Sequence, residues 1–248
     1  FRLQAGTFTD SGFAAKGLDW IVAELAASAD DLVLDVAAGA AHLGRALAPS
    51  VAHISAVDLT PEMLEQGRKL AVAAGLRNID FLIGDAVALP WLDGQFDLAA
   101  CRLTLHQVAD PRAVVQEMVR VTRPGGRVAV IDLTAPDDAA LAGEMNRIEK
   151  LRDPSHGRTL AEAETHELLT AAGANVVQCS RHDQPVDVED WMQRTETPTA
   201  TRTAIRKRFD DELRGGRRTG LRPSREAAGV LVLTHTWTMT VALVDRGR

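Results

Sequence analysis

The sequence predicts an α/β fold in which helices cover both faces of a mostly parallel β-sheet. Short apolar runs of strand length alternate with longer segments of helical period through the first half of the chain. This alternation is typical of right-handed βαβ units. The chain has 248 residues, 46% of them hydrophobic, which is enough for a substantial core. Because no internal repeat interrupts the pattern, we predict one domain over residues 1–248.

The apolar runs predict seven strands. Five of them fall in the first half of the chain, and the last two are separated by a long polar stretch. The predicted strands are 32–36, 53–57, 79–83, 96–101, 127–133, 175–179 and 230–244.

Two of the helices between these strands begin with proline, whose missing N–H is not needed at the first helical position. One begins at Pro61 and ends at Gly75. The other begins at Pro111 and ends in the turn RPGG, residues 123–126. Two more helices are predicted at 138–151 and 161–172.

Three segments fall outside the regular alternation. Residues 1–28 are predicted to form an N-terminal helical lid, and residues 134–160 and 184–225 are predicted to be insertions on the same sheet. Long connections of this kind are usually functional. We therefore expect both insertions to shape a substrate pocket.

Charge and hydropathy exclude two classes of partner. The net charge is −6, and the basic stretch 202–222 is interrupted by Asp210, Asp211 and Glu212, so no nucleic-acid partner is predicted. Apolar runs fall short of the roughly 18 residues that span a bilayer, and no signal peptide is visible. The sequence therefore predicts a cytoplasmic protein with no membrane partner.

The cysteines predict neither a disulfide framework nor a metal site. Cys101 and Cys179 each lie in an apolar run that resembles a strand, which is typical of buried free thiols. Close His/Cys spacing and clustered carboxylates are both absent from the sequence pattern. We therefore expect no metal.

Acidic residues stand at the carboxyl ends of the first three predicted strands. Asp35 precedes a turn of small residues, Asp58 follows Gly39 by 19 residues, and Asp85 follows the third strand. An acid at about that distance from such a turn meets a ribose diol in nucleotide-binding sheets. Because the carboxyl ends of parallel strands share one edge of a sheet, the sequence predicts a nucleotide-like cofactor there.

The turn matches the dinucleotide pattern G-x-G-x-x-G poorly. Only Gly39 and Gly44 fit it, and Ala41 stands in the middle position. An acid at the position of Asp35 is not part of that fingerprint. The chain also has no tyrosine, so the Tyr–Lys pair of short-chain dehydrogenases is excluded. These observations favour a nucleotide other than NAD.

An ordered set of motifs runs from about residue 1 to about residue 191. The set is VLDV (33–36), VDLTPEML (57–64), GDA (84–86) with LP (89–90), FDL (96–98), RPGG (123–126) and EKLRDPSH (149–156). It resembles class I S-adenosylmethionine-dependent methyltransferases, in particular the ubiquinone/menaquinone-biosynthesis-like small-molecule group. The resemblance implies a Rossmann-like, seven-stranded sheet with an antiparallel last strand, S-adenosyl-L-methionine as cofactor and a small-molecule acceptor.

The resemblance also implies which residues meet the cofactor. Asp58 would bind the ribose hydroxyls, Asp85 and Ala86 would lie at the adenine, Gly39 beside the methionine part, and His42 at the methionine carboxylate. The whole implied set is Asp35, Ala37, Gly39, Ala41, His42, Asp58, Leu59, Met63, Gly84, Asp85, Ala86 and Arg102.

Three positions depart from the family pattern. Ala37 and Ala41 replace glycines that the family usually has in its first motif, and Phe8 stands where an aromatic hydroxyl is common. The extra methyl groups in the turn lie where the methionine part of the cofactor would bind. Whether methyl transfer is retained with these alanines is open at this point.

Methyl transfer from a sulfonium needs an aligned nucleophile and, for a hydroxyl acceptor, a general base. His106, just past the fourth predicted strand, and His156, in the segment expected to cover the site, are the catalytic candidates. Arg152 and Asp153 are expected to fix that segment by pairing. A quinone-like or secondary-metabolite acceptor follows from the resemblance alone.

Two other functions compete with this prediction. The same fold could catalyse a cyclisation or rearrangement without methyl transfer, and an NAD-dependent oxidoreductase has weaker support. The acceptor, the choice among O-, N- and C-methylation, and the formation of a homo-oligomer are left open by the sequence.

Overall fold

The computed structural model describes residues 17–226 and 229–245. Most of the predicted lid, residues 1–16 with Phe8, lies outside the described residues. Eight strands form one sheet in the order β3-β2-β1-β4-β5-β8-β6, with β7 paired to β8. The strands are β1 Leu32–Val36, β2 His53–Asp58, β3 Ile79–Ile83, β4 Phe96–Arg102, β5 Thr122–Leu133, β6 Ala174–Asp187, β7 Ser224–Arg225 and β8 Leu231–Val244.

The four helices delimited from the sequence are present, and the structure adds four more among the residues it describes. The helices are α1 Leu18–Leu25, α2 His42–Leu47, α3 Pro61–Ala73, α4 Pro111–Val121, α5 Ala139–Arg152, α6 Glu162–Ala171, α7 Val188–Gln193 and α8 Thr199–Leu213. A 3-10 turn, Ala48–Ser50, follows α2. In the part of the chain that the structure describes, no helix is both long and apolar enough to cross a membrane.

The strand order places a crevice at the carboxyl ends of β1 and β4. β1 pairs in parallel with β2 on one side and with β4 on the other, so the direction of strand addition reverses there. β8 is antiparallel to both β5 and β6. Open α/β sheets bind ligands at such a reversal point. The predicted α/β fold with a mostly parallel sheet is confirmed.

Neighbouring residues of the central strands face opposite sides of the sheet and belong to different cores. Leu34 packs in the core that includes Met118 of α4, whereas Val33 packs in the core that includes Ile21 of α1. A third apolar cluster joins α5 to α7 and α8. The two predicted insertions therefore pack against each other.

The boundary of the second insertion, predicted as 184–225, is wrong. β6 continues through Asp187 because it pairs with β8 over its whole length, up to Val232. Pro185 suggested a loop, but a strand at the edge of a sheet tolerates proline. The insertion therefore begins at α7, and its two-residue strand β7 raises the strand count from seven to eight.

Two smaller predictions also need correction. The turn RPGG, residues 123–126, belongs to β5, which shifts its register against β4 between Phe96 and Leu98. Cys101 is completely buried in β4, but Cys179 is exposed because β6 is the edge strand. Only the first cysteine fits the prediction of a buried thiol.

Candidate active site

A cavity of about 630 Å³ lies at the carboxyl ends of the central strands. It gathers residues from the turn after β1, the ends of β2, β3 and β4, and both insertions. One end contains eleven of the twelve residues expected at the cofactor, namely Asp35, Ala37, Gly39, His42, Asp58, Leu59, Met63, Gly84, Asp85, Ala86 and Arg102. We call this the cofactor end. The other end, which we call the acceptor end, contains His106, Arg152, Asp153, Trp191, Arg194 and His235. Ala41 is buried behind the turn.

Asp58 holds the turn after β1 against the end of β2. Its Oδ2 accepts a hydrogen bond from the Gly39 N–H at 2.8 Å, and its Oδ1 accepts one from the Thr60 N–H at 2.8 Å. Each carboxylate oxygen has more than one lone pair, so Asp58 can accept further hydrogen bonds from a diol. A Cβ added to Gly39 would lie 3.1 Å from Met63 Cε, so the turn leaves little space above α3.

Three residues of this turn have left-handed backbone conformations. The φ angles are 52° at Ala37, 55° at Gly39 and 52° at Ala41. An L-residue with a Cβ is disfavoured there by roughly 1–2 kcal/mol. The structure therefore keeps the backbone shape of a glycine turn although two positions carry alanine.

Ala37→Gly is expected to raise the free energy of unfolding by about 0.5–1 kcal/mol. The change relieves the left-handed strain, and the greater freedom of glycine in the unfolded chain offsets part of this gain. Urea denaturation measures the difference. Ala204→Gly, the same change at an exposed position in the middle of α8, is the matched control and should lower stability by about 0.5–1 kcal/mol. Destabilisation by both variants would contradict the strain argument.

Asp35 connects the end of β1 to the first turn of α2. Its Oδ2 accepts a hydrogen bond from the Gly44 N–H at 2.8 Å in the first turn of α2. Burial raises the pKa of Asp35 to about 7, although the Gly44 N–H and the Arg102 guanidinium act in the opposite direction. A Cβ at Gly44 would lie 2.9 Å from Ile54 Cγ2, so α2 can approach the sheet this closely only with glycine there.

Arg102, at the end of β4, is partly buried and lines the cavity. Its guanidinium carbon lies 5.0 Å from the ring centroid of Trp237. Burial lowers the pKa of Arg102 to about 10, while the charges of Asp35 and Asp132 favour its protonated form. Arg102 therefore remains a cation at neutral pH and places a positive charge in the cavity wall.

The rim of the cofactor end combines a carboxylate with an exposed apolar side chain. Leu59 is 68% exposed beside Asp58. Asp85 is also exposed, and its Oδ1 accepts a hydrogen bond from the Val87 N–H at 3.1 Å. This set of donors, acceptors and apolar surface fits an adenosine, whose diol needs acceptors and whose base needs an apolar face.

At the acceptor end, His106 is fixed by a carboxylate that the sequence analysis missed. His106 Nδ1 lies 2.5 Å from Asp132 Oδ1. Asp132 Oδ2 accepts hydrogen bonds from the backbone N–H groups of Thr104, Leu105 and His106, the shortest at 2.7 Å. With Nδ1–H directed at Asp132, Nε2 is the basic nitrogen of the neutral ring.

The environment of His106 favours its protonated form. Burial opposes a charge on the ring, but the charge of Asp132 and its hydrogen bond outweigh burial and raise the pKa of His106 above its usual value. The neighbouring His156 behaves differently. Burial lowers the pKa of His156 to about 4, so that ring is neutral near pH 7.

The structure places His156 behind His106. The two ring centroids are 5.6 Å apart, and His156 is completely buried. Its Nε2 lies 3.1 Å from Asn146 Oδ1, and the described residues that line the cavity do not include it. His156 is therefore placed to support the wall beside His106.

A buried ionic cluster forms the far wall of the acceptor end. Glu149 lies 2.9 Å from His235 Nε2 through Oε1 and 3.1 Å from Arg152 Nε through Oε2. Burial alone would raise the pKa of Glu149, but Arg152 and His235 hold it well below its usual range. Arg152 lies 3.9 Å from Asp153, so its closer partner is Glu149 rather than the expected Asp153.

The sequence analysis missed the carboxylates and partners that orient this end of the cavity, namely Asp132, Glu149, Arg194 and His235. Asp132 and His235 each interrupt an apolar strand, which is the one local signal that could have identified them. Glu149 and Arg194 look like ordinary helix and loop charges in the sequence. Only the packing of α5 and α7 against β8 brings Glu149 to His235 and Arg194 to the cavity.

The comparisons with known proteins agree with this geometry. Residues 34–130 match the family described as "Methyltransferase domain". The chain is 32% identical over 200 residues to the uncharacterized methyltransferase YcgJ of Bacillus subtilis, covering 80% of this chain and 79% of that protein. The crystal structure of YcgJ aligns with a TM-score of 0.83 at 28% identity, over 93% of this chain and 98% of that chain.

Two further relatives extend the comparison. The crystal structure of a putative methyltransferase from Bacillus halodurans gives a TM-score of 0.83 at 26% identity, over 92% of this chain and 99% of that chain. A demethylmenaquinone methyltransferase of Clavibacter sepedonicus is 38% identical over 108 residues, which is 44% of this chain and 43% of that protein.

The Rossmann-like sheet, the cavity at its reversal point and these relatives define a methyltransferase. The chain belongs to the class I S-adenosylmethionine-dependent methyltransferases, with homologues that include the ubiquinone and menaquinone biosynthesis enzymes. The cofactor of this family is S-adenosylmethionine, so the NAD alternative is set aside.

Proposed function

We propose that this methyltransferase transfers a methyl group to an acidic hydroxyl, or to a carbon next to one, on a quinone-related or similar small molecule. The observation that carries the proposal is that His106, which is paired with Asp132, lines the same cavity as the cofactor-end residues. The cofactor supplies an electrophilic methyl group on a sulfonium. The chain itself must bind and orient the acceptor and accept its proton.

His106 is the proposed general base. Its Nε2 accepts the acceptor's proton as the acceptor atom bonds to the methyl carbon and the sulfur–methyl bond breaks. Asp132 stabilises the resulting imidazolium and keeps Nε2 directed away from itself. We assign His156 a positioning role, because its ring lies beside the His106 ring and it does not line the cavity.

The cofactor-end residues bind and orient the cofactor in this proposal. Asp58 accepts hydrogen bonds from the ribose hydroxyls, and Leu59 covers the adenine beside Asp85 and Ala86. The backbone of the turn at Gly39 and the side chain of His42 lie beside the methionine part. The positive charge of Arg102 stabilises the carboxylate of the methionine part.

The walls of the acceptor end support an aromatic acceptor. Trp191 is almost completely buried and lines the cavity, and Val108 and Leu133 also contribute apolar surface. The demethylmenaquinone methyltransferase from C. sepedonicus is named for a quinone-related acceptor. Its match covers less than half of either protein, so the proposed acceptor class rests mainly on the residues that line the cavity.

Asp58→Asn is expected to weaken S-adenosylmethionine binding by about 1.5–3 kcal/mol, or roughly 10–150-fold, because the ribose loses a charged acceptor. Calorimetric titration with S-adenosylmethionine, S-adenosylhomocysteine and NAD measures the affinity of each. The parent should bind the first two and give no heat with NAD. Asp80→Asn, at an exposed position of β3, is the control and should bind like the parent. Equal affinities for both variants would place the ribose elsewhere.

The reaction itself is tested with methyl-labelled cofactor and a panel of hydroquinones, phenols and amines. Transfer of the label to a hydroquinone or phenol supports the proposal. Conversion of an acceptor without label in the product would favour a cyclisation or rearrangement instead. Label on amines alone would contradict the proposed acceptor class.

A further inference from the structure

Helix α6 and strand β6 bring together three side chains that ligate metals. Glu162 and His166 are four residues apart in α6 and therefore share one face of the helix. Cys179 lies opposite them on β6. One ligand atom from each residue lies within 4.8 Å of the other two.

The hydrogen bonding of this cluster leaves room for an ion. His166 Nε2 is buried and has no hydrogen-bond partner in the described part of the chain. Buried polar atoms normally have a partner, so this ring nitrogen is available to a ligand. Arg181 Nε donates to Glu162 Oε2 at 2.6 Å, which leaves further lone pairs on that carboxylate. Cys179 is exposed, so the cluster is open to solvent.

We propose that Glu162, His166 and Cys179 bind a zinc ion or a chemically similar divalent cation. Thiolate, imidazole and carboxylate are the three ligand types that zinc prefers. Ligand atoms around a tetrahedral zinc are about 3.3–3.6 Å apart, so small side-chain rotations would close the cluster. The Cys179 thiol loses its proton to solvent as the sulfur–metal bond forms, and a water molecule takes the fourth position.

The site is separate from methyl transfer. Its three residues are not among the described residues that line the active-site cavity. The ion would connect α6 to the edge strand β6 and stabilise that side of the sheet. The sequence predicted no metal because Cys179 follows His166 by thirteen residues, and only the return of the chain from α6 into β6 brings the two together.

Cobalt(II) is the probe for this site. Tag-free protein is stripped with a chelator, dialysed and titrated with Co²⁺. We expect one equivalent to bind and to produce the near-ultraviolet sulfur-to-cobalt charge-transfer absorption of a thiolate ligand. Cys179→Ser should abolish that absorption, and His166→Gln should weaken binding at least about tenfold. Cys101→Ala, which removes the fully buried cysteine, should leave the absorption and the Co²⁺ affinity unchanged.

A second measurement uses the difference in exposure between the two thiols. Iodoacetamide should label the native protein once, at Cys179, and one equivalent of Zn²⁺ should slow that labelling at least about tenfold. His166→Gln should remove the protection. The absence of charge-transfer absorption in the parent, its persistence in Cys179→Ser, or labelling that is unaffected by Zn²⁺ would overturn the proposal. These results do not depend on methyltransferase activity.

Discussion

His106→Ala is expected to lower kcat for methyl transfer by about 10²–10⁴-fold, because the acceptor loses its general base. The Kd for S-adenosylmethionine should change little, since His106 lies at the acceptor end of the cavity. Initial rates with labelled cofactor and calorimetry separate the two effects. An unchanged kcat would remove His106 from the mechanism.

His53→Ala is the matched control for this variant. His53 also pairs with a carboxylate, that of Asp80 at 3.2 Å, but at the amino end of β2 and partly in solvent. Both variants lose an imidazole and an ion pair, and only one of them loses a group in the cavity. Equal losses of kcat in the two variants would indicate a general effect on the fold.

The pH dependence of the rate tests the His106–Asp132 pair directly. Asp132 raises the pKa of His106, and a general base works in its neutral form, so kcat/KM should rise with pH through a value above the usual histidine pKa. Asp132→Asn should move that rise to lower pH and also lower the plateau, because the ring loses its preferred orientation. The same midpoint in the pH profiles of the parent and Asp132→Asn would contradict the pairing of Asp132 with His106.

The same pair makes a contribution to folding with the opposite pH dependence. The pKa of His106 is higher in the folded protein than in the unfolded chain. Its stabilisation is therefore fully present below the unfolded pKa and is lost as the pH rises through the folded value. The enzyme should gain activity over a pH range in which it loses some stability.

Glu149→Gln is expected to lower the free energy of unfolding by about 3–5 kcal/mol. The change removes the buried negative charge between Arg152 and His235, so the Arg152 cation loses its closest charged partner. Urea denaturation measures the difference. A loss below about 1 kcal/mol would mean that the cluster is solvated in the folded protein.

Glu189→Gln is the control for that variant. Glu189 also pairs with an arginine, Arg206, but both side chains are largely exposed. Solvent screens such a pair, so its loss should cost no more than about 1 kcal/mol. A comparable loss in the two variants would show that burial does not decide the effect.

The fold was predictable because its signals are local. Alternating apolar runs, Pro61 and Pro111 at helix starts, and the acids at the ends of β1 and β2 are visible without any knowledge of contacts. β6 was underestimated because an edge strand is half in solvent, so its polar residues look like those of a loop. The length of β6 depends on pairing with β8, which no local pattern specifies.

The candidate site was predictable only in part. The cofactor end consists of residues close to strand ends, where the resemblance and the topology both apply. The acceptor end depends on pairs such as His106 with Asp132 and Glu149 with His235, which are 26 and 86 residues apart. Sequence spacing does not identify partners at such distances, so the orientation of each histidine emerges only from tertiary packing.

The cavity has two ends of different origin in the chain. Residues from Asp35 to Arg102 form the cofactor end, and they lie inside the stretch 34–130 that matches the methyltransferase family. At the acceptor end, His106 also lies inside that stretch, but Arg152, Trp191 and His235 come from later segments. These later segments pack on one another in a separate apolar cluster. Acceptor preference can therefore diverge, in evolution or in engineered chimaeras, while the methyl-donor site is inherited unchanged.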